Sequence, residues 1–298
     1  MDYNIIEKDN EIILKDMEDF EPEHIFECGQ AFRWKREEDG SYTAVHRGKV
    51  VNVRRDGKNV ILFNTNIEDF KNIWYDYFDL GRDYSRIKEE LSKDPILKEA
   101  IQFGKGIRIL NQDPYETTIS FIISANNQIP RIKRSIKLIS ESYGQYICTY
   151  KDEKYYSFPT ADILSKVDVN ELERSHKVGF RAKYIVESSK MIADKEVDLD
   201  AIYSLPTEKA QEELVKLPGV GPKVSSCILL FAFKKGDAFP VDVWVKRIME
   251  YFYFKKDTRL KDISTFAKEQ FGPLAGFAQQ YLYYYAREQG IGKTKDNG

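Results

Sequence analysis

Short apolar runs separated by glycine-containing turn pairs fill the start of the chain, from residue 3 to about residue 64. Glycine follows Asp39, Arg47 and Asp56, and it readily adopts the positive φ that tight hairpin turns require. This pattern predicts antiparallel strands. The predicted strands are Ile5–Ile6, Ile12–Leu14, Phe32–Lys35, Tyr42–His46, Val50–Val53 and Val60–Phe63.

From about residue 67 onwards, apolar residues recur at the spacing of a helix. Phe70, Ile73, Trp74 and Tyr77 stand at i, i+3, i+4 and i+7, which places them on one helical face. The further predicted helices are Tyr84–Leu91, Pro114–Ser124, Ile129–Ser142, Asn170–Val178, Lys183–Ala193, Thr207–Lys216, Pro222–Phe233, Val243–Tyr253, Asp262–Phe271 and Leu274–Glu288.

A strand-rich opening followed by helix-only sequence predicts an α+β fold. We therefore predict an N-terminal antiparallel β-sheet domain with flanking helices over residues 1–104 and an all-helical domain over residues 105–298. The polar end of the second domain, Ile291–Gly298, is expected to fray. With 298 residues, the chain is long enough for two domains and a sizeable core.

The composition is that of an ordinary folded protein without a strong overall charge. Apolar residues make up 42% of the chain and aromatic residues 13%, which argues against disorder. The formal net charge is −2, so any binding of nucleic acid would depend on a local basic face and on backbone amides.

Cysteine and histidine are too sparse to predict a disulfide framework or a metal cluster. Cys28, Cys148 and Cys227 are odd in number and far apart, and they are one short of a four-cysteine iron–sulfur cluster. The three histidines show no metal-ligand spacing. The acidic start of the chain does not predict a signal peptide, and no apolar run approaches the ~18 residues that a membrane span needs. We therefore expect an intracellular protein of a reducing compartment, with no membrane partner.

The stretch Leu217–Cys227, which reads LPGVGPKVSSC, joins two amphipathic helices. Pro218, Gly219 and Gly221 leave room for only a tight turn, and Pro222 suits the first position of the second helix. The start of that helix offers unpaired backbone N–H groups and the positive end of a dipole, which together bind phosphate. The sequence thus predicts a helix-hairpin-helix over about residues 209–234.

Lys223 falls in the first turn of that second helix, where cations are unusual. The helix field and partial burial would lower the pKa of its amine and make it a better nucleophile. A lone lysine is more often a solvated surface residue. The hairpin before Lys223 and the aspartate Asp242 after it favour a functional role. Asp242 follows Pro240 and Val241 and precedes an apolar helix, so it also suits an N-cap, and the two roles can coexist.

In LPGVGPK and in the Pro-Val-Asp that ends at Asp242, the chain resembles the helix-hairpin-helix DNA glycosylases, the superfamily that includes endonuclease III. Within it, the chain is most similar to the 8-oxoguanine DNA glycosylase branch, strongly over Asn111–Gln289 and more thinly over the sheet domain. The resemblance implies a bifunctional enzyme that flips out and excises 8-oxoguanine. Lys223 would be the nucleophile, Asp242 would stabilise positive charge, and β-elimination would then cleave the abasic strand.

The same resemblance assigns residues to the flipped base. Gly29 and Phe32 lie in the segment GQAFRW, where the glycine carbonyl accepts the hydrogen bond that 8-oxoguanine can donate and guanine cannot. Gln279, on a base-reading helix over about residues 274–288, would bond the Watson–Crick edge, with Tyr283 and Cys227 on the two faces of the base. Without the resemblance, these residues read as a turn glycine, core aromatics, an amphipathic helix and a buried thiol.

Other residues are assigned to DNA and to a cation. Asn126 would fill the space left by the flipped base and bond the orphaned partner, and Asn127 beside it would also bind DNA. Arg131 and Arg181 would read the estranged base, and Phe180 would be the wedge. The hairpin would hold DNA through the amides of Gly219, Gly221 and Val224. A structural cation would bind the carbonyls of Val215, Leu217 and Val220. Phosphate contacts from Lys133, Arg134, Lys137 and Lys183 are an open alternative to plain solvated charges.

The implied partner is double-stranded DNA that contains an oxidised purine, bound by a monomer in the cytoplasm or nucleoid. No cofactor is required for catalysis, and no iron–sulfur cluster is expected. Two alternatives stay open. One is a helix-hairpin-helix glycosylase for another damaged base, such as an alkylated purine. The other is a non-catalytic DNA-binding module, which would have no use for Lys223 and Asp242.

Overall fold

A computed structural model describes residues 3–291 of the chain. All but the first residue of the end that was expected to fray, Ile291–Gly298, lies outside the described residues. The strands are β1 (Ile5–Lys8), β2 (Glu11–Leu14), β3 (Trp34–Arg36), β4 (Tyr42–His46), β5 (Lys49–Asp56), β6 (Asn59–Phe63), β7 (Tyr146–Tyr150) and β8 (Glu153–Tyr156).

Helices make up most of the remaining chain. They are α1 (Pro22–Phe26), α2 (Ile67–Asp69), α3 (Tyr75–Tyr77), α4 (Tyr84–Leu91), α5 (Pro95–Phe103), α6 (Pro114–Ser124), α7 (Ile129–Tyr143), α8 (Ala161–Leu164), α9 (Val169–His176), α10 (Arg181–Ala193), α11 (Leu199–Ile202), α12 (Thr207–Leu214), α13 (Pro222–Ala232), α14 (Val243–Met249), α15 (Leu260–Phe271) and α16 (Ala275–Glu288). Short π-helical turns at Phe70–Trp74 and Glu250–Phe254 and a 3₁₀ turn at Gly272–Leu274 extend some of them.

The first six strands form one antiparallel sheet in the order β1-β2-β6-β5-β4-β3. In the β4–β5 hairpin, His46 pairs with Lys49, so the turn has two residues. Those residues, Arg47 and Gly48, both have positive φ, as a two-residue turn that matches the twist of the strands requires. The predicted N-terminal antiparallel sheet followed by a helical part is confirmed.

Side chains alternate across this sheet, and its inner face is closed by helices. Leu14, Val51 and Leu62 are fully buried. They pack with Phe70 and Trp74, from the helical segment that follows the sheet. The period-two pattern of the strands therefore meets the helical period of residues 67–77 in one core.

A second core lies in the helical part, and it extends further towards the N-terminus than the sequence suggests. Ile87 of α4 and Leu97 of α5 belong to this core and not to the core of the sheet. Helix α5 packs against α16, the last helix of the described chain. The domain boundary between residues 104 and 105 stays a prediction, and these contacts favour a boundary nearer residue 80.

The prediction that the second part is helix-only is wrong, because β7 and β8 form an antiparallel hairpin within it. Its turn, Lys151 and Asp152, has positive φ at both positions but contains no glycine, so the sequence lacked the usual hairpin signal. The hairpin lies against the sheet. The Nζ of Lys35 lies 2.9 Å from Oε2 of Glu153, and the Nζ of Lys151 lies 2.8 Å from Oδ2 of Asp39.

A buried arginine ties the two parts together. The side chain of Arg108 is 2% exposed and donates to the carbonyls of Phe78 (2.8 Å), Asp79 (2.6 Å) and Asp19 (3.1 Å). Its guanidinium lies 4.2 Å from the centroid of the Tyr84 ring. A buried charge is tolerated when its donors are satisfied, and here backbone carbonyls satisfy them. Within residues 3–291, no helix is long and apolar enough to cross a membrane.

Candidate active site

A cleft of about 810 Å³ collects residues from distant parts of the sequence. This volume is typical of small-ligand pockets. The predicted site residues that line it are Gly29, Phe32, Asn126, Asn127, Lys223, Val224, Cys227, Asp242, Gln279 and Tyr283. The roles assigned to them stay predictions, but the fold places them around one space large enough for a nucleobase.

The predicted hairpin joins α12 to α13 and presents the start of α13 to the cleft. Gly219 has φ of +82°, and a Cβ there would lie 3.0 Å from Cδ2 of Tyr184. Glycine is thus required both by the turn and by the close approach. The Val220 amide donates to the Leu217 carbonyl at 3.0 Å and closes the turn. Gly221 is the N-cap of α13 and has no side chain to cap it, so the first amides of the helix can bind an anion.

Lys223 lies in the first turn of α13, is half-buried, and lines the cleft. Its Nζ lies 5.6 Å from the centroid of the Phe121 ring, which also lines the cleft. Among the described residues Lys223 forms no ion pair. Its amine therefore faces the Phe121 ring and the cleft, which is compatible with the predicted role of nucleophile.

Asp242 is the N-cap of α14, as predicted. Its Oδ1 accepts the Val245 amide at 2.8 Å, which fixes the carboxylate at the edge of the cleft. Within residues 3–291, Oδ2 makes no hydrogen bond. One carboxylate oxygen therefore holds the helix start while the other is available to a positive charge in the same cleft as Lys223.

Gln279 has an unpaired polar atom inside the cleft. Its side chain is 6% exposed, and its Oε1 is buried without a hydrogen-bond partner among the described residues. An unpaired buried acceptor costs about 1–3 kcal/mol, so it marks a place where a ligand donor would be favourable. The amide is thus set to bind a polar edge in the cleft.

Gly29 lies against the ring of Tyr283, one helical turn after Gln279. A Cβ on Gly29 would lie 3.3 Å from Cε1 of this ring, and the φ of Gly29 is +81°. Burial raises the pKa of Tyr283, so the phenol stays neutral at pH 7. The backbone of Gly29 can approach this ring only because it has no side chain.

Gln30 fixes the backbone of Gly29, and sequence reasoning missed it. It is fully buried; its Nε2 donates to the carbonyls of Ile25 and Arg108, both at 2.8 Å. Its Oε1 accepts the Leu110 amide at 2.8 Å. The signal that could have identified Gln30 is its position, since it is an uncharged polar residue between Gly29 and an aromatic strand.

Two cysteine thiols line the cleft. Burial raises the pKa of Cys227 to about 11, although the nearby Lys223 lowers it. Burial also raises the pKa of Cys28 to about 11. Both thiols are therefore neutral and apolar at pH 7, which suits contact with the face of a base. Cys28 as a lining residue was not predicted.

The asparagine loop between α6 and α7 is held in place by Arg181. Arg181 is 8% exposed, and its guanidinium donates to the carbonyls of Ala125 (2.9 Å from Nε) and Asn126 (3.0 Å from Nη2). Asn126 itself has φ of +49° and is exposed. A contact between Arg181 and an estranged base stays a prediction. In the free protein, the Arg181 side chain holds the asparagine loop in position.

Phe180 and Arg131 lie outside the cleft lining. Phe180 is 61% exposed, with the Arg181 guanidinium 4.5 Å from its ring centroid. An exposed aromatic ring backed by a cation suits the predicted wedge. Arg131 is exposed in the first turn of α7. Trp244, 42% exposed, lines the cleft beside Asp242 and was not assigned a role from the sequence.

The predicted cation ligands lie at the end of α12 and in the hairpin. The Leu217 carbonyl already accepts the Val220 amide, and Val215 is 40% exposed. In the described part of the chain, no group of three or more His, Cys, Asp or Glu side chains could hold a metal ion. A cation on the carbonyls of Val215, Leu217 and Val220 stays a prediction.

Two family descriptions match adjoining parts of the chain. Residues 12–118 match the N-terminal domain of 8-oxoguanine DNA glycosylase. Residues 119–273 match the HhH-GPD superfamily of base excision DNA repair proteins. The second match includes the hairpin, Lys223 and Asp242.

Curated relatives and solved structures agree with these matches. A probable N-glycosylase/DNA lyase of Methanothermobacter thermautotrophicus is 36% identical over 67% of this chain and 69% of its own length. The N-glycosylase/DNA lyase of Saccharomyces cerevisiae is 32% identical over 81% of this chain and 71% of its own length. The crystal structure of Clostridium acetobutylicum 8-oxoguanine glycosylase/lyase, bound to double-stranded DNA with cytosine opposite 8-oxoG, superposes with a TM-score of 0.94 at 50% identity. That alignment covers 98% of this chain and 100% of the other.

Proposed function

The chain belongs to the HhH-GPD superfamily of base excision DNA repair proteins, and we propose that it excises 8-oxoguanine from duplex DNA and then cleaves the strand as a DNA lyase. One observation supports this proposal above the others. Lys223, Asp242 and the unpaired amide of Gln279 line the same cleft. A nucleophile, a carboxylate and a base-reading group are thus presented to one bound nucleotide.

The target nucleotide must leave the duplex to reach this cleft, because its glycosidic bond is inaccessible inside the stack. The exposed Phe180 would enter the duplex and the asparagine loop would occupy the vacated position. The amides at the start of α13, including Val224, would hold the strand by its phosphates. Unstacking costs a few kcal/mol, and phosphate contacts together with base binding offset it.

The flipped base would be recognised by four groups with different chemistry. The Gly29 carbonyl would accept the N7–H that 8-oxoguanine has and guanine lacks. Gln279 would bond the Watson–Crick edge and so pair its orphaned Oε1. Tyr283 and the Cys227 thiol would contact the two faces. An acceptor left unpaired by guanine would disfavour the undamaged base.

Excision would begin with the lone pair of Nζ of Lys223 attacking C1′ of the deoxyribose. The C1′–N9 bond breaks, and the base leaves with the bonding electrons and takes up the proton that Nζ releases as the C1′–Nζ bond forms. Positive charge develops on the sugar during this step, and the Asp242 carboxylate, held by its cap bond to Val245, stabilises it. The sugar ring then opens to a Schiff base between C1′ and Nζ of Lys223.

Strand cleavage follows from the Schiff base. The iminium acidifies the protons on C2′; loss of one of them expels the 3′ phosphate from C3′, which is β-elimination. Hydrolysis of the iminium returns Lys223 to the free amine. The chain itself supplies the amine and the carboxylate, so these steps use no cofactor, and all named groups come from one chain. With duplex DNA as substrate, the protein would act at the chromosome.

A lesion panel tests the substrate. Duplexes with 8-oxoguanine opposite cytosine, an alkylated purine, an oxidised pyrimidine or no lesion are incubated with enzyme, and released base and cleaved strand are measured. We expect release and cleavage with 8-oxoguanine at least 100-fold above the other three. A preference for the alkylated or pyrimidine lesion would assign the cleft to another damaged base. Tight binding without release from any duplex would favour the non-catalytic module.

A further inference from the structure

A second, smaller cavity lies where the sheet, α7 and the β7–β8 hairpin meet. It has a volume of about 140 Å³, and we call it the Trp34 cavity after the indole that forms one wall. Phe32 separates it from the cleft, since this ring lines both spaces. None of the residues assigned to the reaction, other than Phe32, lines the Trp34 cavity.

Lys133 carries an unpaired positive charge in this cavity. Its Nζ lies 3.0 Å from the centroid of the Trp34 ring. Within residues 3–291 it forms no ion pair, whereas Lys35 and Lys137, which line the same cavity, both pair with Glu153. Burial lowers the pKa of Lys133 to about 8. A half-buried ammonium group whose main neighbour is an aromatic face would be stabilised by an anion.

Tyr155 adds an unused hydrogen-bond donor. Its hydroxyl is buried and has no hydrogen-bond partner among the described residues. The Thr43 hydroxyl on the same wall is already engaged, because it donates to Glu37 at 2.6 Å and accepts from Asn52 at 3.1 Å. A buried phenol usually finds an acceptor, so this hydroxyl would donate to an acceptor that a ligand brings into the cavity.

The charges that line the Trp34 cavity favour an anion. Cationic side chains outnumber carboxylates there, and Glu153 is neutralised by two lysines. The cationic lining residues are Arg33, Lys35, Lys133, Lys137 and Lys154, against Glu141 and Glu153. The size of the cavity restricts the anion further, because a cavity of roughly 150 Å³ accommodates a single benzene ring.

We propose that the Trp34 cavity binds a small aromatic carboxylate. Its ring packs against Trp34 and Phe32, and its carboxylate accepts hydrogen bonds from the Lys133 ammonium and the Tyr155 hydroxyl. This site is independent of the function proposed for the cleft. It needs neither DNA nor Lys223.

Calorimetric titration of the full-length protein with sodium benzoate tests the site. We expect saturable binding of one benzoate per chain. Acetate, which lacks the ring, and benzyl alcohol, which lacks the charge, should each bind at least tenfold more weakly. Equal binding of benzoate and acetate would contradict the proposal, since it would reduce the site to a non-specific surface charge.

Three variants locate the binding. Lys133→Met should weaken benzoate at least tenfold, as loss of a hydrogen-bonded charge does, and Tyr155→Phe about three- to tenfold. Lys183→Met is the matched control, because Lys183 lies on α10 near Glu187 and does not line the cavity. It should bind benzoate as the unaltered protein does. Tyr155→Phe removes only an unpaired hydroxyl and should fold normally, so unchanged affinity in that variant and in Lys133→Met would overturn the proposal.

Discussion

The backbone of Gly29 and the ring of Tyr283 are so close that a Cβ on the glycine would lie 3.3 Å from Cε1 of the tyrosine. The two residues come from opposite ends of the chain, one from the segment before β3 and the other from α16. Their contact forms the wall of the cleft at which the base is proposed to be read. It also couples the sheet-side loop to the last helix.

Gly29→Ala tests how far the close contact between Gly29 and Tyr283 contributes to stability and to excision. The added methyl group meets the Tyr283 ring, and φ of +81° is strained for alanine, so we expect unfolding free energy to fall by about 1–3 kcal/mol. The rate of 8-oxoguanine excision should fall further than stability explains, since the carbonyl moves. Gly48→Ala, in an open surface turn with φ of +71°, is the control. It carries similar backbone strain without a nearby side chain and should leave excision unchanged in single-turnover assays.

Asp242 has two roles that two substitutions separate. Asp242→Asn keeps a side-chain oxygen for the Val245 amide, so thermal stability should change by less than about 1 kcal/mol. It removes the negative charge, so single-turnover excision should fall roughly 100-fold or more.

Asp242→Ala removes the charge and the cap together. Excision should fall as in Asp242→Asn, and the free energy of unfolding should also fall by about 0.5–2 kcal/mol. If Asp242→Asn excised 8-oxoguanine at the normal rate, the aspartate would be only a cap.

Gln279→Met exchanges the buried amide for an apolar side chain of similar size. Because Oε1 of Gln279 is unpaired in the free protein, its removal should leave the free energy of unfolding unchanged or raise it by about 1 kcal/mol. The substitution should still lower kcat/KM on 8-oxoguanine by at least tenfold. Denaturant unfolding and steady-state kinetics on the same preparation measure both. A stability loss above 2 kcal/mol would show that the amide is structural.

Arg181 and Arg131 should respond differently to alanine. Arg181 donates to carbonyls of the asparagine loop and to Val178, so Arg181→Ala should lower the free energy of unfolding by about 2–4 kcal/mol. Arg131 is exposed, and Arg131→Ala should change stability by less than about 0.5 kcal/mol. Arg131→Ala should instead reduce the preference for one opposite base, as read from excision across from each of the four bases. If Arg181→Ala and Arg131→Ala lowered the free energy of unfolding equally, the proposed difference between their roles would be contradicted.

Local signals in the sequence predicted much of the fold. The turn at Arg47 and Gly48 and the hairpin at Gly219 each require backbone conformations that few residues adopt, so a short motif is enough to locate them. The N-cap at Asp242 is equally local, since cap and amide are three residues apart. Motif spacing therefore predicted where the candidate nucleophile and carboxylate stand along their helices.

Long-range contacts were not predictable in this way. The bonds from Gln30 to Arg108 and Leu110 join residues far apart in sequence, and no periodicity encodes them. The β7–β8 hairpin was missed because its turn has no glycine. The loop-holding role of Arg181 depends on where α10 packs, and the family resemblance assigned this arginine to the estranged base instead.

In the proposed mechanism, Lys223 forms a covalent intermediate with a damaged nucleotide. Borohydride reduces a lysine Schiff base to a permanent link, so the enzyme is incubated with borohydride and a duplex that contains one 8-oxoguanine, beside an undamaged duplex. We predict a protein–DNA crosslink on the damaged duplex alone. It should be absent in Lys223→Gln, which should still bind DNA, and present in Lys216→Gln, a lysine paired with Glu213 outside the cleft. A crosslink that persists in Lys223→Gln, or none in the unaltered enzyme despite tight binding, would contradict a Schiff base on Lys223.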